Sequence, residues 1–406
     1  MKTFKELIPE FMAPVTSGKR MMFGASFGEH AQFMTGITSE IFYNNPDANI
    51  EVILLASEYF GVPAGGSGSW DIYNFEARAI GQSVKVAKYG LPDVDYTDPL
   101  CKTEADMGKI KWPSANPLDT GRFPLVIKGF ELMEKYTGAP PGLFNAAVSS
   151  FTLACELYSF EGFMRIIKKQ PALAHKIMEK ITYDIHVPLV KAVAAKYPGI
   201  LFKSSDAWEM IPNISPKIER EFVWPYYDKL IEATKNDNVK VGYWSTYGES
   251  QMPDPSKYLE EKSKYNGIIS YPGTENVPRD VYVDTANRLG LNLMTMVLST
   301  KINEGPPEAI IEFIRGIAKD MRCKAKKFSW LGGSTFGTKP EHVMAMLAAG
   351  YAFSVNPCPS PEEMDKIKVT VPVLPESFGD FCRRHVKENP NGYTFNWLDK
   401  AEFYGD

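Results

Sequence analysis

The stretch that most limits what this chain can fold into runs from Ser149 to Tyr227, where a long helical region feeds a short apolar strand and then the phrase Ile211-Pro-Asn-Ile-Ser-Pro216. Between Gln170 and Tyr197, Leu173, Ile177, Ile181, Ile185, Leu189 and Val193 recur at four-residue steps, and Ala174, Met178 and Val190 widen the stripe. Side chains four apart share one helix face, so the spacing predicts a long amphipathic helix, or two in register around Pro188, lying on a core.

Further units read as strand followed by helix. Gly199-ILFKSSDAW, Asn238-VKVGYWSTYGE and Asn292-LMTMVLST are short apolar runs of strand length, the first two ending in polar or aromatic residues. Asn303-EGPPEAIIEFIRGIAKDM then starts a helix with Pro in its first turn and Ile310, Ile311, Ile314 and Ile317 on one face. Repeated units of this kind imply a parallel sheet covered by helices, because a parallel strand can be reached only through a crossover. No internal repeat, low-complexity tract or linker divides the chain, so one domain over residues 1–406 is expected. Residues 1–80 would form an N-terminal helical layer and 358–406 an extension wrapped on this core.

Composition narrows the partners. Hydrophobic residues make up 44% and charged residues 23% of 406, enough for a large core, and a net charge of -4 provides no attraction to nucleic acid or an anionic membrane surface. The N-terminus alternates charged and apolar residues without a signal-like apolar run, and no run approaches membrane-spanning length. Cysteines 101, 155, 323, 358 and 382 are widely spread with no C-x-x-C pair, which predicts reduced thiols and a cytoplasmic setting.

Four segments in order resemble the uroporphyrinogen decarboxylase superfamily, which includes corrinoid-dependent methyltransferases. They are Glu51-VILLASEYFGVPAGG, Asp71-IYNFEARAIGQSVKV, the Ser149–Tyr227 stretch and Phe328-SWLGGSTFGTKPEHVMAML, and the likeness runs roughly from Glu40 to Pro357. The resemblance implies a (β/α)8 TIM barrel of the uroporphyrinogen decarboxylase type, often paired as a homodimer, whose chemistry sits at the C-terminal strand ends.

The resemblance also allows the family's catalytic positions to be followed one by one. Thiol-activating methyltransferases carry a His-x-Cys-Gly and a last-loop Cys that hold zinc; here the matching text is Ser245-Thr246-Tyr247-Gly248, and the last-loop position falls near Ser334. Neutral hydroxyls do not replace a thiolate and an imidazole, so no zinc is expected at that site, while a carboxylate metal site elsewhere has no spacing signature and stays open. The decarboxylases' catalytic aspartate aligns with Asp71, but their arginine-bearing loop has no counterpart in Phe23-GASFGEHAQFMTG, their late histidine falls near Gly332 and their pocket tyrosine near Glu156. A porphyrinogen's carboxylates need arginines, so porphyrinogen decarboxylation is disfavoured.

Aromatic residues stand where those groups are missing. Trp70, Tyr73, Phe151, Trp208, Tyr243, Trp244, Tyr247, Tyr271 and Trp330 fall at or near predicted strand ends, where each could equally be core packing, but together they suit a flat apolar ligand. Moving a methyl group from an aryl ether to Co(I) leaves a phenolate, and a nearby acid removes that difficulty. Asp71, Glu156, Asp206 and Glu249 are the carboxyl candidates, with Tyr243 or Tyr247 as hydrogen-bond donors; each carboxyl could instead be a structural acceptor.

The resemblance thus implies a methyltransferase that demethylates a small methoxylated, aromatic methyl donor and passes the group to the corrinoid (cobalamin) of a separate protein. Alternatives are a decarboxylase or lyase acting on a cyclic acid through Asp71, and a noncatalytic binding subunit. Asp184-Ile-His186-Val-Pro-Leu189 lacks the Gly of a cobalt-ligating Asp-x-His-x-x-Gly run and lies inside the helical pattern, so it is set aside. The glycine-rich Ala64–Trp70 run has neither a P-loop lysine nor dinucleotide spacing and reads as a lid or strand-end loop.

Overall fold

A computed structural model describes residues 3–63, 68–71, 73–205, 207–244, 248–273, 276–297 and 299–405, with Trp244 in its backbone only. Its strands are β1 (Phe23–Ser26), β2 (Val84–Lys85), β3 (Asp93–Val94), β4 (Leu143–Phe144), β5 (Leu201–Ser205), β6 (Lys240–Trp244), β7 (Ile268–Tyr271), β8 (Asn292–Val297) and β9 (Phe328–Gly333). Among the described residues they pair into a four-stranded arc β1-β9-β8-β7, a three-stranded arc β4-β5-β6 and a separate pair β2-β3. Both arcs are parallel throughout and β2-β3 is antiparallel. The architecture is the (β/α)8 barrel, with helices between successive barrel strands.

The Pro171–Lys196 segment is one continuous helical run, in which Pro171–Lys180 and Val187–Lys196 flank a wider π turn, Ile181–His186. Pro188 explains the wide turn: its ring crowds the preceding turn and it has no N–H to return. Trp112 Nε1 takes up the Ile185 carbonyl at 3.0 Å. All six residues of the four-step stripe are buried, each contributing roughly 1.5–3 kcal/mol. The helix Pro307–Ile317 likewise has Pro at its start and buries Ile310, Ile314 and Ile317 while Ile311 stays half-buried.

Two buried glutamates of the helix Pro46–Phe60 anchor the end of the chain. Glu51 accepts the N–H of Thr394 (2.5 Å), that of Phe395 (3.0 Å) and Trp397 Nε1–H (2.9 Å), and Glu58 faces His385 Nε2 at 2.9 Å. The expectation of reduced thiols throughout needs correction. Cys323 and Cys358 form a disulfide, with Cα atoms 5.7 Å apart, while Cys101, Cys155 and Cys382 are free and buried. A 35-residue separation hid the pair: the chain leaves Cys323, crosses the barrel as β9, and returns beside it. Among the described residues no helix is long and apolar enough to cross a membrane.

Candidate active site at the barrel mouth

The bridge between Val148 and Ser205 brings the chain after β4 to the C-terminal end of β5. There Ser149 caps the helix Ser150–Tyr158, its Oγ accepting the Thr152 N–H at 3.0 Å. Thr152, one turn in, ties this helix to the loop after β5. Its Oγ1 accepts the N–H groups of Ala207 and Trp208, both at 3.1 Å, and donates to Glu209. Glu156 follows one further turn along on the same face, so a single short helix aims Glu156 and sets the loop that carries Trp208 and Glu209.

Glu156 and Trp208 border a cavity of about 410 Å3 whose wall also includes Tyr73, Asp93, Tyr96 and Met210. Trp208 is held on two sides: its ring stacks on Phe160 at 5.0 Å and meets Tyr96 edge-on at 5.5 Å, and its Nε1–H donates to Tyr96 Oη at 3.2 Å. A larger cavity, about 700 Å3, opens beside Phe23 at the start of β1. That is the N-terminal end of the barrel, where this architecture places stability and not chemistry.

Glu156 is 2% exposed, and among the described residues its Oε2 has no hydrogen-bond partner. Burial, and then the negative fields of Glu76, Asp93, Glu209 and Asp71, raise its carboxyl well above the usual range. Burial also raises Glu209, but Ser149, Thr152 and backbone N–H groups donate to it and favour its charged form. Of the two, Glu156 therefore holds its proton more firmly. Glu76 accepts the Val148 N–H at 3.0 Å and faces His186 Nε2 at 3.4 Å, while His186 Nδ1 lies 2.9 Å from Ser150 Oγ. His186 is 1% exposed and occupied inside the fold.

The other sequence candidates are distributed differently. Asp71 is fully buried in an ion pair with Arg122, which also donates to the Tyr43 carbonyl. Burial outweighs the arginine and pushes Asp71 up to about 6. Glu249 is buried against Lys262 Nζ at 3.1 Å. Tyr73 and Trp208 border the cavity. Phe151 packs on Phe163 at 5.4 Å and Tyr243 on Tyr227 at 4.3 Å, both fully buried. Trp330 meets Phe23 at 5.2 Å in the core, and Trp70 lies so close to Gly129 that a Cβ there would sit 2.4 Å from its ring. Tyr271 Oη accepts from Arg279 Nε at 3.4 Å, and Ser334 Oγ donates to the Ser26 carbonyl at 2.9 Å. Asp206, Tyr247 and the Trp244 side chain lie outside the described residues.

Sequence reasoning missed Glu209, Glu76, Asp93, Tyr96 and Arg122. Glu209 shares the strand-end loop with Trp208 and could have been found there; Asp93 and Tyr96 arrive on and just after β3, which has no periodic signature. Among the described residues no three His, Cys, Asp or Glu side chains are placed to hold one metal ion.

Residues 18–260, more than half of the chain, match the family model described as uroporphyrinogen decarboxylase (URO-D). No curated protein matches the sequence. Among solved structures the chain is similar to a methyltransferase from Methanosarcina mazei, with a TM-score of 0.59 and 16% identity over 86% of this chain and 98% of that one. At that identity the likeness is one of fold. The matched segment carries Asp71, Glu156 and the Glu209 loop, and the chain belongs to the uroporphyrinogen decarboxylase family.

Proposed function

We propose that the protein is a methyltransferase that removes the methyl group of a small methoxylated aromatic compound and passes it to the corrinoid of a separate protein docked over the barrel mouth. The supporting observation is Glu156, a buried carboxyl in the wall of an aromatic cavity whose Oε2 has no hydrogen-bond partner among the described residues. Cobalt on the partner supplies the nucleophile that accepts the methyl group. This chain's part is to bind the ring beside Trp208 and Tyr96, exclude water, and protonate the ether oxygen as its bond to methyl breaks. The proton comes from Glu156, so the leaving group departs as a neutral phenol. A carboxyl raised well above its usual range by burial and neighbouring acids suits that step, and the surrounding carboxyls make an unprotonated phenolate costly.

Asp71 is engaged by Arg122 and does not line the mouth cavity, which weighs against the decarboxylase alternative. The test is an assay of the purified chain with a corrinoid protein, a reductant that keeps cobalt as Co(I), and a panel of aryl methyl ethers. The methylated-corrinoid absorbance should appear with at least one of them, and its absence with all would overturn the reading.

A further inference from the structure

We infer that the mouth cavity accepts methoxylated rings that carry no negative charge and rejects those bearing a carboxylate, such as methoxybenzoates. The inference rests on the proposed function and deepens it by naming the substrate class. It comes from the charge of the wall. Asp93 and Glu156 line the cavity, and its other lining residues are aromatic, aliphatic or uncharged polar, without a lysine, arginine or histidine.

Behind this wall stand more acids. Glu209 lies behind Trp208, tied through Thr152 to the helix that carries Glu156. Glu76 projects from the helix Phe75–Ala79, and Asp71 precedes it. Of the cations near these acids, Arg122 is held by Asp71 and the Tyr43 carbonyl and Lys85 by Asp95 at 2.8 Å, while Arg78, on the helix that carries Glu76, acts on Asp71 and does not line the cavity. His186 faces Glu76 and Ser150. A bound carboxylate would therefore lose its water shell without gaining a cationic or bidentate partner, and would face acidic groups from several elements.

A protonated Glu156 sharpens the selection. As a neutral acid it donates to an ether or phenol oxygen, whereas a substrate carboxylate beside it would compete for the same proton and leave a charge among Asp93, Glu209 and Glu76. Size does not decide the matter, because a carboxylate and a carboxamide have nearly the same shape.

The experiment is a matched pair measured by calorimetry on the full chain at pH 7.5: 4-methoxybenzamide and 4-methoxybenzoate. The amide should bind at least about tenfold more tightly. The gap should narrow in Asp93→Asn, a change at an exposed rim position, and in Glu209→Gln. Equal or tighter binding of the benzoate, a gap unchanged in both variants, or no binding of either ligand would overturn the inference. An intact charge ranking without methyl transfer from any aryl ether would instead overturn the proposed function and leave the ranking standing.

Discussion

Two buried carboxyls near the barrel mouth, Asp71 and Glu156, differ in their company. Asp71 has an arginine, and Glu156 has an aromatic cavity in front and other acids around it. The arginine turns a costly burial into a fixed structural joint that links the segment before the helix Phe75–Ala79 to Arg122 and through it to the Tyr43 carbonyl. The absence of such a partner leaves Glu156 as a group whose cheapest state is protonated. Of two acids singled out in the sequence, the one aligned with a family catalytic position is engaged in structure, and the one that replaces a pocket tyrosine faces the open cavity.

The largest expected break in this contrast is Glu156→Gln. If Glu156 is the acid, methyl transfer from aryl ethers should fall about 10²–10⁴-fold in single-turnover assays, with less loss for donors whose leaving group is already acidic. A uniform loss across leaving groups would count against acid catalysis.

Arg122→Met attacks the other half. It leaves Asp71 buried without its cation and should cost about 3–5 kcal/mol in urea unfolding, while Asp71→Leu with Arg122→Met should recover much of that loss. Additive losses in the double variant would show that the two do not act as a pair.

The pH dependence sharpens the comparison. A carboxyl whose folded pKa is raised favours the folded state while protonated, and this contribution disappears as pH rises through the folded value. Wild type should therefore lose stability relative to Glu156→Gln as pH climbs above the ordinary carboxylate range, by thermal melts from pH 5 to 9. A constant difference across that range would mean that Glu156 is not held protonated.

Trp208→Leu should have the smallest effect, weakening a methoxylated ring by about 0.5–1.5 kcal/mol, a few-fold to roughly tenfold in Kd by calorimetry. No change would place the ring outside the Trp208 face of the cavity.

Much of the scaffold was legible. The stripe from Leu173 to Val193, the strands at 201–205, 240–244 and 292–297 and the helix with Ile310, Ile314 and Ile317 follow from periodicity, because burial of one face leaves a local record. Parts of the site left none. Phe151, Tyr243, Trp70 and Trp330 share their residue types with Trp208 and Tyr73, yet they are packed in the core or close against a helix while the latter two border the cavity. Which aromatic faces open space depends on the neighbours that fill the space around it.

The sequence alone determined the alternation of strand and helix and thereby a parallel sheet covered by helices, since hydrophobic spacing and crossover geometry act over a few tens of residues, while its closure into a barrel was implied only by the family resemblance. Tertiary structure decided which acid is paired: Asp71 meets Arg122 across 51 positions, and Thr152 meets Glu209 across 57. A carboxyl's protonation depends on burial and on charges a few ångströms away, and those distances exist only once the chain is folded.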